Sequence, residues 1–194
     1  MMKTYKEFLF ESKTKEIICY HISDDLEHME NCDFKLEKAN DLALLGTAIY
    51  FSSTSQIEFR PMYATGRCYC CKFSIILDEP VLDMNKEITT QESNKLLKDF
   101  NTMFKINDPK LNDYNFDNDF DGSVQYGEFF GMISELKDWD YNKYYRQFIQ
   151  KHLGYNSFQY FQNSYTDFRT EEGDYGRSYG LYDKKNIKFL DGPY

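Results

Sequence analysis

Apolar and polar positions divide this chain into strands near both ends and helices between them. Glu16 to Ile22 and Ala48 to Ser53 are short β-prone runs, and Tyr69 to Leu77 is the densest in aromatic and β-branched residues. Glu79-Pro80 stops that third run. Asp24 to Asn40 is polar with spaced apolar residues (Leu26, Met29, Phe34, Leu36), a helix or an irregular loop. Thr90 to Phe104 places Leu96, Leu97, Phe100, Met103 and Phe104 on one helical face. Asn107 to Asp121 is rich in Asn and Asp and reads as a loop. Two more helices follow, Glu128 to Leu136 and Asn142 to Leu153, the second capped by Gly154. Ser157 to Phe161, Tyr179 to Tyr182 and Asn186 to Leu190 supply the late strands, with a polar loop from Thr166 to Arg177. No internal repeat or linker is visible, and the order of elements predicts one α+β domain.

The length of 194 residues allows a single core, and 17 Tyr and 17 Phe supply large apolar groups to fill it. A net charge of -9 argues against a broad electrostatic grip on nucleic acid. No run is apolar enough to cross a membrane, and no secretory signal is visible. Five cysteines without an export signal suggest a reducing compartment. Cys68, Cys70 and Cys71 lack the second pair that zinc needs. On a strand, Cys68 and Cys70 share one face and Cys71 the other, so packing is the preferred reading of the cluster. His28 and His152 read as surface residues, and Trp139 as a core residue.

Three groups of residues carry candidate chemistry. The first is the amphipathic start, Met2-Lys3-Thr4-Tyr5-Lys6-Glu7-Phe8-Leu9-Phe10-Glu11, with Tyr5, Phe8 and Leu9 on one helical face. It resembles the capsid-targeting propeptide of internal virion proteins in T-even-like bacteriophages, which ends at a Leu/Ile-x-Glu site. The resemblance implies that residues 1–11 are a propeptide and that a phage prohead protease cuts between Glu11 and Ser12. It also implies residence inside the phage capsid, followed by injection into the host cytoplasm, with residues 12–194 as the working domain.

The second group is Tyr20-His21 followed by Gly46-Thr47-Ala48-Ile49-Tyr50-Phe51-Ser52. It is similar to the His and Tyr motifs of ADP-ribosyltransferases of the diphtheria-toxin and poly(ADP-ribose) polymerase branch, although Ala48 replaces that motif's second glycine. His152-Leu153-Gly154-Tyr155-Asn156-Ser157-Phe158 resembles the Leu-Gly-Tyr-Asp-Gly-Ile turn of phage and toxin members. Ser178-Tyr179-Gly180-Leu181-Tyr182-Asp183 with Asn186-Ile187-Lys188 resembles their closing strands. The resemblance implies a split β-sheet core with helices inserted between the N-terminal and C-terminal strands. NAD⁺ would be the co-substrate, with His21 on ribose hydroxyls and Tyr50 stacked on nicotinamide. Ser53-Thr54-Ser55 resembles the Ser-Thr-Ser of the family's other branch, whose first-strand Arg and late Glu-x-Glu are absent here; that resemblance would place Ser53 or Ser55 in the lining of the site. In the polymerase branch a Glu precedes the final-strand Tyr, but Ser178 stands there. The Glu-Gly pair of phage and toxin members matches Glu172-Gly173, which makes Glu172, with its neighbour Glu171, the expected catalytic acid. The acceptor is open; a host protein is favoured and nucleic acid stays possible. A non-catalytic injected inhibitor on the same fold and an NAD⁺ glycohydrolase are the alternatives.

The third group runs from Asp117 to Glu128 and fits the twelve-residue EF-hand pattern. Asp117, Asp119, Asp121, Ser123 and Glu128 would be calcium ligands, with Gly122 at the sharp turn. Against this, hands usually come in pairs and the sequence displays no second loop. The alternative reading is a solvated acidic turn that caps the following helix.

Overall fold

The computed structural model describes residues 15–34, 36, 48–53, 68–136, 141–164, 167–169 and 176–194. The chain forms a large mixed sheet and several helices, an α+β arrangement. β1 (Lys15–Ser23) pairs antiparallel with β3 (Tyr69–Leu77) along its whole length, from Lys15 opposite Leu77 to Ser23 opposite Tyr69. β10 (Ile187–Asp191) closes that side. On the other side of β1 lie β2 (Ile49–Ser52), β9 (Arg177–Leu181), β7 (Ser157–Ser164) and β4 (Leu82–Asp83), in that order. β8 (Asp167–Arg169) adds to β7. The two halves meet at a seam: β1 and β2 are registered through one residue pair, Tyr20 opposite Ser52.

Alternation along the strands gives each face its own core. On one face, Cys19, Ile49, Phe51, Cys71, Phe73, Ile75, Tyr179 and Leu181 pack with Met29 and Phe34. Met29 belongs to the short helix α1 (Leu26–Glu30), whose N-terminus is capped by the Asp25 carboxylate. On the other face, Leu82, Phe158, Tyr160 and Tyr182 pack against the helical insertion, with Tyr50 at the edge of the cluster.

That insertion contains α2 (Thr90–Phe104), α3 (Pro109–Asn112), α4 (Tyr126–Leu136) and α5 (Asn142–Phe148). α2 starts with a capping box between Thr89 and Glu92. α5 runs on as a π-helical turn, Ile149–Leu153, ended by Gly154 at φ 81°. Phe100, Phe116, Phe129, Phe130, Tyr145 and Phe148 are buried together there. Among the described residues, no helix is long and apolar enough to cross a membrane.

Several expectations change. The loop expected from Asn107 to Asp121 contains α3 and a 3₁₀ turn at Phe116–Asn118, each begun by an Asp or Asn side-chain cap. The polar stretch after Thr166 includes β8, which β7 recruits by pairing. Two strands too short to show in the pattern, β5 (Glu87–Thr89) and β6 (Ser123–Gln125), pair with each other as a separate ribbon. Cys70 and Cys71 are both buried although they point to opposite faces, while Cys68 is half-buried.

Candidate functional site

The four segments that resemble transferase motifs lie side by side as β1, β2, β9 and β7. Their registers align residues in rows across the sheet, and residues in one row share a face. One row is Tyr20, Ser52, Ser178 and Tyr160. The next on the same face holds Tyr50, Gly180 and Phe158. Ser178, at the position where the polymerase branch carries its Glu, is buried between Ser52 and Tyr160.

His21 lies at the seam. Its Nδ1 is 2.6 Å from the carbonyl oxygen of Tyr50. A carbonyl only accepts, so Nδ1 carries the proton and donates it; in the neutral ring Nε2 is then the acceptor. Ring contacts with Phe34 at 5.1 Å and Phe51 at 5.4 Å fix the plane of the imidazole. Tyr50 points the other way, its ring 5.8 Å from Phe158. The expected pair is therefore joined through the Tyr50 backbone, while the two rings lie on opposite faces of the sheet. A flat ligand cannot be sandwiched between them on one face; a ligand touching both must cross the seam.

Ser53 continues the seam beyond β2. Its N–H donates to the Arg177 carbonyl at 2.8 Å, and its Oγ accepts from the Arg177 N–H at 2.8 Å. The hydroxyl oxygen thus binds backbone. The Arg177 guanidinium lies 4.4 Å over the Phe161 ring. Gly180 has a packing role: a Cβ there would come within 2.0 Å of the Phe158 ring. Glu171, Glu172, Ser55, Glu11, Ser12 and Trp139 lie outside the described residues.

The acidic loop departs from expectation in its partner. β6 pairs with β5, with Ile88 opposite Val124, and residues 81–92 repeat the layout of residues 117–128 at an offset of 36 positions. Thr90 N–H donates to Gly122 O at 3.1 Å, and its counterpart Tyr126 N–H to Lys86 O at 3.2 Å. Thr89 N–H donates to Glu92 Oε2 and Gln125 N–H to Glu128 Oε2, each at 2.8 Å. The chain therefore does hold a second loop and a short internal repeat, contrary to expectation: the two loops are related by a local pseudo-twofold. Side-chain identities hid the relation, because Val81, Asn85 and Lys86 stand where the second loop has Asp117, Asp121 and Gly122.

In the second loop Gly122 adopts φ 80°, and Asp117, Asp119 and Asp121 are exposed. The donor set is all oxygen, as calcium prefers. Asp117 Oδ2 accepts from Asn94 Nδ2 at 3.1 Å. Among the described residues, no three His, Cys, Asp or Glu side chains converge as a metal cage.

Two expected surface histidines have partners. His28 lies edge-on to Phe34 at 4.9 Å. His152 stacks on Phe148 and lies 3.2 Å from Asp99 Oδ2, tying the π-helical turn to α2. Burial raises the Cys19 thiol far above its ordinary value, and burial, then Glu30 and Asp191, raise that of Cys71. Neither is a ready nucleophile. Comparison of the chain with protein-family models, with curated proteins and with solved structures finds no match.

Proposed function

We propose that this protein is an NAD⁺-dependent ADP-ribosyltransferase with a split-sheet core, packaged in a phage head and injected to modify a host component. One observation carries the reading. Segments distant in sequence, each resembling a transferase motif, are neighbouring strands flanking a seam, and His21 stands at that seam with its tautomer set by the Tyr50 carbonyl. NAD⁺ would cross the seam, with a ribose hydroxyl donating to His21 Nε2 and the nicotinamide against Tyr50. Cleavage of the nicotinamide–ribose bond leaves the electron pair on nicotinamide and positive charge on the ribose. Glu172 would stabilise that charge. The acceptor nucleophile then bonds to the ribose C1′ and loses its proton. In this reading Ser178 leaves no acid on β9, so turnover depends on Glu171 or Glu172.

The test is nicotinamide release from NAD⁺. Wild type should release it, and His21→Ala and Glu172→Ala should not. Labelled NAD⁺ added to host lysate should mark a macromolecule. Release without labelling would make the protein an NAD⁺ glycohydrolase, and tight host-protein binding without release would make it an inhibitor.

A second reading concerns calcium, and the paired loops favour it: the acidic loop has the partner ribbon that a lone loop would lack. In this reading Asp117, Asp119, Asp121 and Glu128 bind calcium through side-chain oxygens and Ser123 through its backbone carbonyl, with Glu128 giving up the Gln125 N–H. The first loop would bind none, since Val81 offers no oxygen ligand in its side chain.

A further inference from the structure

The Asn-rich stretch after α2 takes no part in the transferase reading, and it helps to wall a cavity. The cavity measures about 720 Å³, a usual size for a small-molecule site. Asn94, Leu97, Lys98, Asn101 and Thr102 form one wall, three or four residues apart on a single face of α2. The rest of the lining comes from Lys105 to Asp117 and includes α3. His21, Tyr50 and Ser53 do not line it.

Three of its asparagines form a row. Asn101 Nδ2 donates to Asn112 Oδ1 at 3.1 Å, and Asn112 Nδ2 reaches Asn107 Oδ1 at 3.5 Å, the limit of hydrogen bonding. The row is incomplete at its inner end. Asn101 is 8% exposed, and its Oδ1 is a buried acceptor that receives no hydrogen bond. Such an atom costs stability until a donor reaches it. Asn112, by contrast, is exposed. The remaining lining narrows the class of ligand. Lys98 and Lys105 are offset by Asp113 and Asp117, so an anion finds no net positive charge. Leu97, Ile106 and Leu111 supply aliphatic surface.

We propose that this cavity is a binding site for a neutral saccharide, separate from the seam. A hydroxyl both donates and accepts, and two hydroxyls on adjacent carbons match the donor and acceptor of one primary amide. One accepts from Asn101 Nδ2 in place of the exposed Asn112 oxygen. Its neighbour donates to Asn101 Oδ1, which gains the partner it lacks. The C–H face of the sugar ring covers the aliphatic surface. The proposal does not depend on NAD⁺ chemistry, because the cavity shares no residue with the proposed nucleotide site.

The test is amide NMR of the full chain titrated with glucose, galactose, mannose and N-acetylglucosamine, with inorganic phosphate as the charged control. At least one sugar should shift the Asn101 side-chain amide and the backbone signals of α2 and α3, saturating at millimolar concentration. Signals from β1 and β2 should stay in place. Asn101→Asp keeps the acceptor, loses the donor and should raise the dissociation constant about tenfold. Asn112→Ala removes the group that the sugar displaces and should lower the constant about threefold. An Asn112 with only a structural role would not tighten binding when removed. If Asn101→Asp does not fold, the exposed Asn112→Ala decides. The proposal is overturned if no sugar shifts these signals, or if phosphate shifts them in place of sugar. Unchanged affinity in Asn101→Asp, or weaker binding in Asn112→Ala, would also overturn it.

Discussion

The Tyr50 carbonyl and the Phe34, Phe51 and Phe73 rings set His21, and the polar and packing contributions can be separated by substitution. Phe in its place keeps the packing against Phe34, Phe51 and Phe73 and gives up the Nδ1 bond and the Nε2 acceptor. One hydrogen bond is worth about 1 kcal/mol, and more when a partner is left unpaired. His21→Phe should therefore weaken NAD⁺ binding about tenfold or more, through the lost Nε2 acceptor, and lower the melting temperature by a few degrees, through the lost partner of the Tyr50 carbonyl. Unchanged affinity in calorimetry would remove His21 from the site. Gly180 offers a second test. Its missing Cβ makes room for the Phe158 ring, and overpacking costs about 1–3 kcal/mol. Gly180→Ala should lose that much in urea unfolding, and Phe158→Leu in the same chain should return part of it. A neutral Gly180→Ala would mean that the ring moves aside. The residues themselves were legible in the sequence: His21, Tyr50 and Gly180 fall within the motif segments. Which face each occupies was not, because facing depends on the Tyr20–Ser52 register and on the pairing of β2 with β9, whose partners lie up to 132 positions apart in the chain.

Elements were legible where local pattern and tertiary context agree. β3 and α2 have the expected bounds, since a long apolar run and a capped amphipathic stretch each specify their own conformation. β4, β5, β6 and β8, of two or three residues each, exist only because a partner pairs with them, so no local signal could mark them. The pseudo-twofold of the two loops was hidden for a related reason: backbone bonds preserve it while the side chains have diverged. That divergence yields a prediction. Calorimetry with calcium should give one site, with affinity in the range of about 10⁻⁷ to 10⁻³ M. Glu128→Gln should abolish it and Asp83→Asn should leave it unchanged. No heat at millimolar calcium would leave the acidic turn as a helix cap. α2 supplies a pH test. Glu92 is held below the usual carboxylate range chiefly by the Thr89 backbone N–H, then by the Thr89 hydroxyl. Its folded pKa is depressed, so its contribution is present above the unfolded value of about 4.3 and is lost as pH falls through the folded value. Glu92→Gln should flatten the acid limb of the urea midpoint below about pH 4.5; an unaltered limb would show that other carboxylates govern acid unfolding.

At the scale of the whole molecule, the seam and the two faces act together. One core ties α1 to the His21 side of the sheet, and the other ties the helical insertion to the Tyr50 side. Among the described residues β1 and β2 share one registered pair, and the core that spans the seam is the His21-side one, which joins Cys19, Phe73 and Ile75 to Ile49, Phe51, Tyr179 and Leu181. A ligand crossing the seam would touch both halves and add cohesion where pairing is sparse. The fold class was legible because strands bracket helices in the sequence. The seam was not, because it is a deficit of pairing between two strands that each look sound alone. The consequence is measurable as a ligand effect on stability. NAD⁺ that binds only the folded state at 100 times its dissociation constant adds about 2.7 kcal/mol. A domain of this size gains about 2–4 °C per kcal/mol, so melting should rise by about 5–11 °C. Nicotinamide alone touches one side of the seam, so at the same free concentration it should give a smaller rise than NAD⁺. Equal rises at the same free concentration would mean that the rest of the nucleotide adds no binding across the seam. No rise with either ligand would remove NAD⁺ from this protein, leaving the injected inhibitor, which needs the fold but no nucleotide.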